Sequence, residues 1–131
     1  MKIKLTNERI INTINTLGKL NNSQLPIKVA YAISKNVNKI ESELKIYNTE
    51  KAKLMDKYCE KDEEGKLKAD EHGNVNIKEE HREGWNRDIK ELLSIENEID
   101  IHMIQLDDLL NSNYNISPAE LSVIEFMIEE F

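Results

Sequence analysis

Apolar positions recur along this chain at two periods, and each change of period marks a change of element. "MKIKL" alternates, with Ile3 and Leu5 on one side, which predicts a short strand over residues 1–6. Thr6 or Asn7 then caps a helix over 7–21 whose apolar face is Ile10, Ile11, Ile14, Leu17 and Leu20, and "NNSQ" ends it. Pro26 opens a long helix over 26–60, because a first helical turn needs no backbone donor there. Along it a seam runs through Ala30, Ile33, Val37, Ile40, Leu44, Tyr47, Lys51, Leu54 and Tyr58, in steps that alternate between three and four.

A β-hairpin is expected over 65–78, with Leu67 and Ala69 on one strand, Val75 and Ile77 on the other, and Gly73 in the turn. After it the heptad spacing resumes at Trp85, Ile89, Leu92, Glu96, Ile99, Met103, Leu106 and Leu110, which predicts a second long helix over 79–112. Folded back antiparallel, the two seams set Tyr58 against Trp85, Leu54 against Ile89, Leu44 against Ile99, Ile40 against Met103, Val37 against Leu106 and Ile33 against Leu110. In that register the seam's polar members Tyr47, Lys51 and Glu96 meet one another, a buried polar group that fixes alignment. A lone hairpin is marginal in water, so the N-terminal strand is expected to join it in a small antiparallel sheet. Ser117, Pro118 and Glu120 combine a capping box with proline at the first turn and start a last helix over 117–131. Its apolar face is Leu121, Ile124, Met127, Ile128 and Phe131, set to return against Ile95, Ile101 and Ile104 or against a second copy.

These elements describe a single, mainly α domain. Its frame is a long coiled-coil-like helical hairpin with a small antiparallel sheet at the tip and short terminal helices packed on the stalk. Composition agrees: of 131 residues 33 % are charged and 5 % aromatic, with four glycines and two prolines, a helical-bundle profile. No segment has the run of apolar residues a bilayer span needs, and "MKIKLTNERI" lacks a secretory signal core, so no membrane association is expected and the cytoplasm of a bacterial host is the expected location. The single cysteine, Cys59, excludes an internal disulfide.

Charge adds a division. Residues 1–57 hold eleven Lys/Arg against five Asp/Glu, net +6, and residues 58–131 hold seven against twenty, net −13, for −7 in total. The acidic half reads either as a mimic of nucleic-acid phosphate aimed at a basic groove or as a solvated face that neutralises the basic half. No basic patch is interleaved with aromatics, so direct nucleic-acid binding is not expected.

Candidate chemistry is sparse. The sequence carries no phosphate-cradling glycine loop, zinc-protease helix motif or nucleophile elbow, and neither a cofactor nor catalysis is expected. Cys59, His72 and His81 fall near the hairpin with Asp62 and Glu63, without the paired spacing of a zinc site; His102 reads as a solvated or partly packed helix residue. The acidic runs "EKDEE" and "EEHRE" flank the hairpin, so Asp62, Glu63, Glu64, Asp70, Glu71, Glu79, Glu80 and Glu83 are the candidate partner-binding carboxylates. Trp85, the sole tryptophan, is either the core cap under the sheet or an interface anchor.

The "KLTN" opening, "LPIKVAYAISKN", "KYCEKDEEGK" and "IKELLSIENEID" together resemble a family of small proteins of unknown function encoded by temperate phages of low-GC Gram-positive bacteria, over most of the chain. The resemblance implies a phage origin and lends no activity. Two functions follow as expectations. One is a non-enzymatic protein that binds a host or phage macromolecule, such as an anti-CRISPR-like inhibitor of a bacterial defence system acting through the acidic surface. The other is a virion structural or tail-assembly protein that oligomerises through its helices, using apolar positions outside the seams such as Val29, Ile46, Ile95 and Ile101.

Overall fold

The computed structural model describes residues 1–69, 71–72 and 74–129. In chain order the elements are β1 (Lys2–Thr6), α1 (Asn7–Asn21), α2 (Ile27–Tyr58), a 3-10 turn (Glu79–His81), α3 (Arg82–Ser94), β2 (Glu96–Asp100), β3 (Ile104–Gln105), α4 (Leu106–Leu110), α5 (Pro118–Ile124), a second 3-10 turn (Glu125–Met127) and β4 (Ile128–Glu129). They gather into two compact units: Met1–Leu44 with Glu96–Phe131, and Lys45–Ile95. The mainly α character, the long second helix and an N-terminal strand in a small antiparallel sheet are as expected. Gly73 and Phe131, assigned to the hairpin turn and the last apolar face, lie outside the described residues.

In the first unit β1 pairs antiparallel with β2, from Lys2 opposite Asp100 to Thr6 opposite Glu96. The second long helix expected over 79–112 therefore ends at Ser94, and the strand's partner is not the hairpin. The reason is local. "IENEIDI", residues 95–101, alternates apolar or amide residues with carboxylates at period two, and a strand buries Ile99 and Ile101 while Glu96, Glu98 and Asp100 face water. Those carboxylates also meet the cationic β1, with Lys2 Nζ 3.8 Å from Glu98. Glu96 is thus an exposed strand residue and sets no helical register with Tyr47 and Lys51. The seam positions Ile99, Met103, Leu106 and Leu110 fall on β2, the following loop and α4, so the helical pairings drawn for Leu44, Ile40, Val37 and Ile33 do not form.

Thr6 caps α1, its hydroxyl accepting from the Arg9 N–H at 3.2 Å. Pro26 offers its carbonyl to the Ala30 N–H at 2.9 Å as α2 begins. Leu5, Ile10, Leu17 and Leu20 join Val29, Ala32, Ile33, Val37 and Ile40 of α2 in one core, closed by Ile99, Ile101, Ile104, Ile124 and Met127. At α5 the Ser117 hydroxyl accepts from the Glu120 N–H at 3.1 Å, the expected cap. The last helix is shorter than 117–131: it stops at Ile124, and after the 3-10 turn β4 pairs in parallel with β3.

Between β2 and β3 the chain runs without regular structure through His102, and Asn36 of α2, fully buried, holds that segment. Its Nδ2 donates to the His102 carbonyl at 3.0 Å, and its Oδ1 accepts from the His102 N–H at 2.8 Å. One side chain thereby satisfies both main-chain groups as a neighbouring strand would.

In the second unit α3 packs on the end of α2. The Tyr58 and Trp85 rings meet edge-on, 6.5 Å between centroids, and Leu54 shares a cleft with Leu92. The expected opposition of Tyr58 and Trp85 is therefore present. The hairpin region pairs Lys61 with Leu67, Ala69 with Val75, and Cys59 with Ile77. These are isolated bridges, and the continuation of α2 joins them: Glu60 donates its N–H to Asn76 at 2.9 Å and accepts from Lys68 at 2.8 Å. A hairpin needs further backbone partners, and residues 59–61, already adjoining it through α2, supply them without the loop closure that recruiting β1 would require.

Replacing Asn36 by alanine is expected to leave the His102 N–H and carbonyl unpaired and to destabilise the protein by on the order of 2–4 kcal/mol. Urea unfolding measures that loss, and hydrogen exchange locates it at the His102 amide; unchanged stability would contradict the clamp.

Candidate functional site

The described acidic residues singled out above sit on or beside the bridged hairpin region, and the turn geometry explains which are structural. Asp62 Oδ1 accepts from the N–H groups of Glu64 at 2.9 Å and Lys66 at 3.0 Å, shaping a turn in which Gly65 takes a φ of +82°, open to glycine without a Cβ penalty. Glu64 lies 3.8 Å from Lys66, Glu71 3.6 Å from His72 and Glu79 3.4 Å from Arg82, all exposed pairs. Glu63, Glu80 and Glu83 are exposed and make no ion pair among the described residues. Asp70 lies outside the described residues.

Beneath the tip lies an aromatic base. Tyr58 is buried, with His81 edge-on at 5.8 Å, Trp85 on another side and Lys57 Nζ 4.9 Å from the ring centre. Gly84 permits this closeness, since a Cβ there would stand 3.0 Å from Tyr58 Cε1. The Tyr58 hydroxyl donates to Asp88 Oδ2 at 2.5 Å, and Arg87 Nε lies 3.3 Å from the other oxygen. That hydroxyl first, then the Arg87 guanidinium, holds Asp88 below the ordinary aspartate range against desolvation. Trp85 is half-buried, so it serves this base while keeping part of its surface in solvent.

The residues weighed for metal binding are not brought together. Cys59 is buried in its bridge to Ile77, with its thiol pushed up by burial; His72 is exposed on the tip; His81 is tucked against Tyr58 with its buried Nδ1 unpartnered. Among the described residues no three His, Cys, Asp or Glu side chains are placed to hold a metal ion. Tyr47 is buried and its hydroxyl pushed up by desolvation, while Lys51 is half-buried near Met55 and Trp85 along a groove under the hairpin.

A second feature lies in the first unit and was not found by reading seams. The first turns of α2 and the chain from His102 to Asp108 enclose a cleft of about 500 Å³, within the range of ligand-binding clefts. Its floor is Val29, Met103 and Ile104, and its rim carries Lys28, Tyr31 and His102. Tyr31 meets His102 edge-on at 5.6 Å and has Lys35 Nζ 4.9 Å from its ring centre. His102 lies in the irregular segment between β2 and β3 rather than in a helix, its backbone fixed by Asn36 and its side chain exposed. The signal was present in composition: residues 9–40 carry Arg9, Lys19, Lys28, Lys35 and Lys39 and no Asp or Glu, in a protein of net charge −7.

No family model matches the chain, and no curated protein or solved structure matches it. Among the described residues, no helix is long and apolar enough to cross a membrane.

Tyr58→Phe removes the main cause of the depressed Asp88 pKa. A depressed carboxyl contributes stability that is fully present above its unfolded pKa of about 3.9 and is lost as pH falls through the lower folded value. The stability gap between wild type and Tyr58→Phe is therefore expected to be constant near neutrality and to narrow below about pH 4, with the Asp88 titration followed by NMR moving up toward the ordinary range in the variant. A gap independent of pH would remove this role.

Proposed function

We propose that this chain is a non-enzymatic phage protein that binds a protein of the bacterial host or of the phage in the host cytoplasm, with inhibition of a defence system in the anti-CRISPR manner as its activity. The observation that carries the reading is the tip. Glu63 in the turn shaped by Asp62, Glu80 in the 3-10 turn and Glu83 in the first turn of α3 present carboxylates unengaged by ion pairs among the described residues, beside the Tyr58 and Trp85 base. Carboxylates held on an ordered base lose little freedom on docking to a basic groove, and complementary charge raises the rate of encounter. The phage origin rests on the sequence resemblance.

The test is a plating assay. Expression of the chain in a bacterium with an active defence system is expected to raise the plating efficiency of a phage that system restricts, and Glu63→Lys with Glu80→Lys and Glu83→Lys to abolish the gain. Asp62 is left intact because it shapes the turn. No gain for the wild type across defence types, or full activity of the triple variant, would overturn the proposal.

A second reading, a virion or tail-assembly protein that oligomerises through its helices, is favoured by two exposed apolar side chains of the second unit, Ile46 at 62 % and Ile95 at 48 %. Val29 and Ile101 are core residues and are not available for that contact. If the reading holds, light scattering finds a defined oligomer that Ile46→Glu with Ile95→Glu reduces to monomer. A strict monomer at all concentrations sinks it.

A further inference from the structure

We infer that the cleft beside α2 is a docking groove for an acidic peptide segment of a partner protein, anchored by a bulky apolar side chain. This surface is separate in residues and opposite in charge from the tip, and stands whether or not the tip binds anything. Lys28 and Lys35 lie seven residues apart on α2, two turns along one face, with Tyr31 between them, and all three are exposed. Tyr31 at 56 % and Ile27 at 85 % exposure are large apolar groups kept in water at the mouth of a cleft whose floor is itself apolar. Exposed apolar groups rimmed by charge beside such a cleft mark a contact surface. The apolar floor selects an anchoring side chain, and the cations select its neighbours.

Charge decides between two classes of polyanionic partner. Nucleic acid draws its affinity from many phosphates neutralised together, whereas this groove has Lys28 on its lining and Lys35 beside it against Tyr31, in a protein of net charge −7. Asp108 also lines the cleft and opposes any anion there, so a run of phosphates with no apolar anchor to offset that repulsion is disfavoured more than a short peptide that fills the apolar floor. A short peptide with two or three carboxylates on either side of a Leu or Phe matches both the few cations and the apolar floor. The side chains on the groove are preorganised: the Asn36 clamp fixes the His102 backbone, and the ring of Tyr31 is held between His102 and Lys35.

Fluorescence anisotropy with the full chain tests this, using a labelled peptide in which Asp and Glu flank a central Leu-Phe pair. The controls are the same peptide with Lys for each acid, the same acids around Ser-Ser, and a labelled oligothymidylate. The acidic Leu-Phe peptide is expected to bind alone among the four, more weakly as salt rises. Lys28→Glu with Lys35→Glu is expected to lower its affinity about tenfold or more, Lys28→Arg with Lys35→Arg to retain it, and Asp108→Asn to raise it. Both lysines are exposed, so circular dichroism melting should be unchanged in the reversal variant. The inference is overturned if the peptide fails to bind, if the Ser-Ser or oligothymidylate probe binds as well, if the double reversal has no effect, or if light scattering shows that a second copy of the chain occupies the groove. Reversal at the tip residues Glu63, Glu80 and Glu83 should leave peptide binding unchanged, which separates this result from the fate of the tip.

Discussion

A single buried amide holds the first unit's chain path together. Ile101 and Ile104 are both buried, so the irregular backbone between them runs along the edge of the core, where water cannot satisfy its polar groups freely. Asn36 resolves this from the facing helix by giving and accepting one hydrogen bond with His102. With that segment fixed, β2 pairs antiparallel with β1 before it and β3 in parallel with β4 after it. The same clamp turns the His102 side chain outward against Tyr31. A core hydrogen bond and the wall of a surface cleft are thus one feature, and a change at position 36 acts on both.

Much of the chain was legible from spacing alone. The α1 range, the Thr6 cap and the Ser117–Glu120 start of α5 follow from side chains that act within one helical turn, where sequence neighbours are also spatial neighbours. The seam of α2 was legible for the same reason: from Ala30 to Tyr58 none of its members is exposed. The error began where two periods overlap. Leu92, Glu96, Ile99 and Met103 fit a heptad, but Ile95, Asn97, Ile99 and Ile101 fit a strand equally well, and Glu96 is tolerable only in the second reading. A charged residue in an apolar seam is the sign that the seam has stopped, since burying it would need a partner at a large desolvation cost. Asn36 was missed because a polar residue between seam positions normally faces water. Nothing local announces that a segment far along the chain will need its amide.

The split of charge along the sequence dissolves once the chain folds. The unit Lys45–Ile95 holds eleven Lys/Arg against thirteen Asp/Glu, net −2, and the other holds seven against twelve, net −5, which sum to −7. Cationic β1 lies along anionic β2, and basic residues of α2 share each unit with acids from later in the chain. Exposed ion pairs such as Lys2–Glu98 contribute between nothing and about 1 kcal/mol, so charge chooses the strand's partner more than it holds the sheet. Burial of Leu5 and Ile99 does the holding.

What remains of the asymmetry is local, and local charge is what a small ligand reads. Screening limits the reach of an exposed charge to roughly 8–10 Å at physiological salt, so a peptide in the cleft responds to Lys28, Lys35 and Asp108 and hardly to the net charge of −7. This also bears on self-association. The tip of one copy carries carboxylates that the cleft of another would attract, yet Leu67, at 36 %, is the only large apolar side chain strongly exposed among the described residues of 59–78. With Leu67 as its one such group, that encounter is held mainly by screened charges, which salt disperses. The groove's selectivity therefore rests on Val29, Met103 and Ile104 as much as on its lysines: charge brings acidic segments to it, and the floor retains those that carry a bulky side chain.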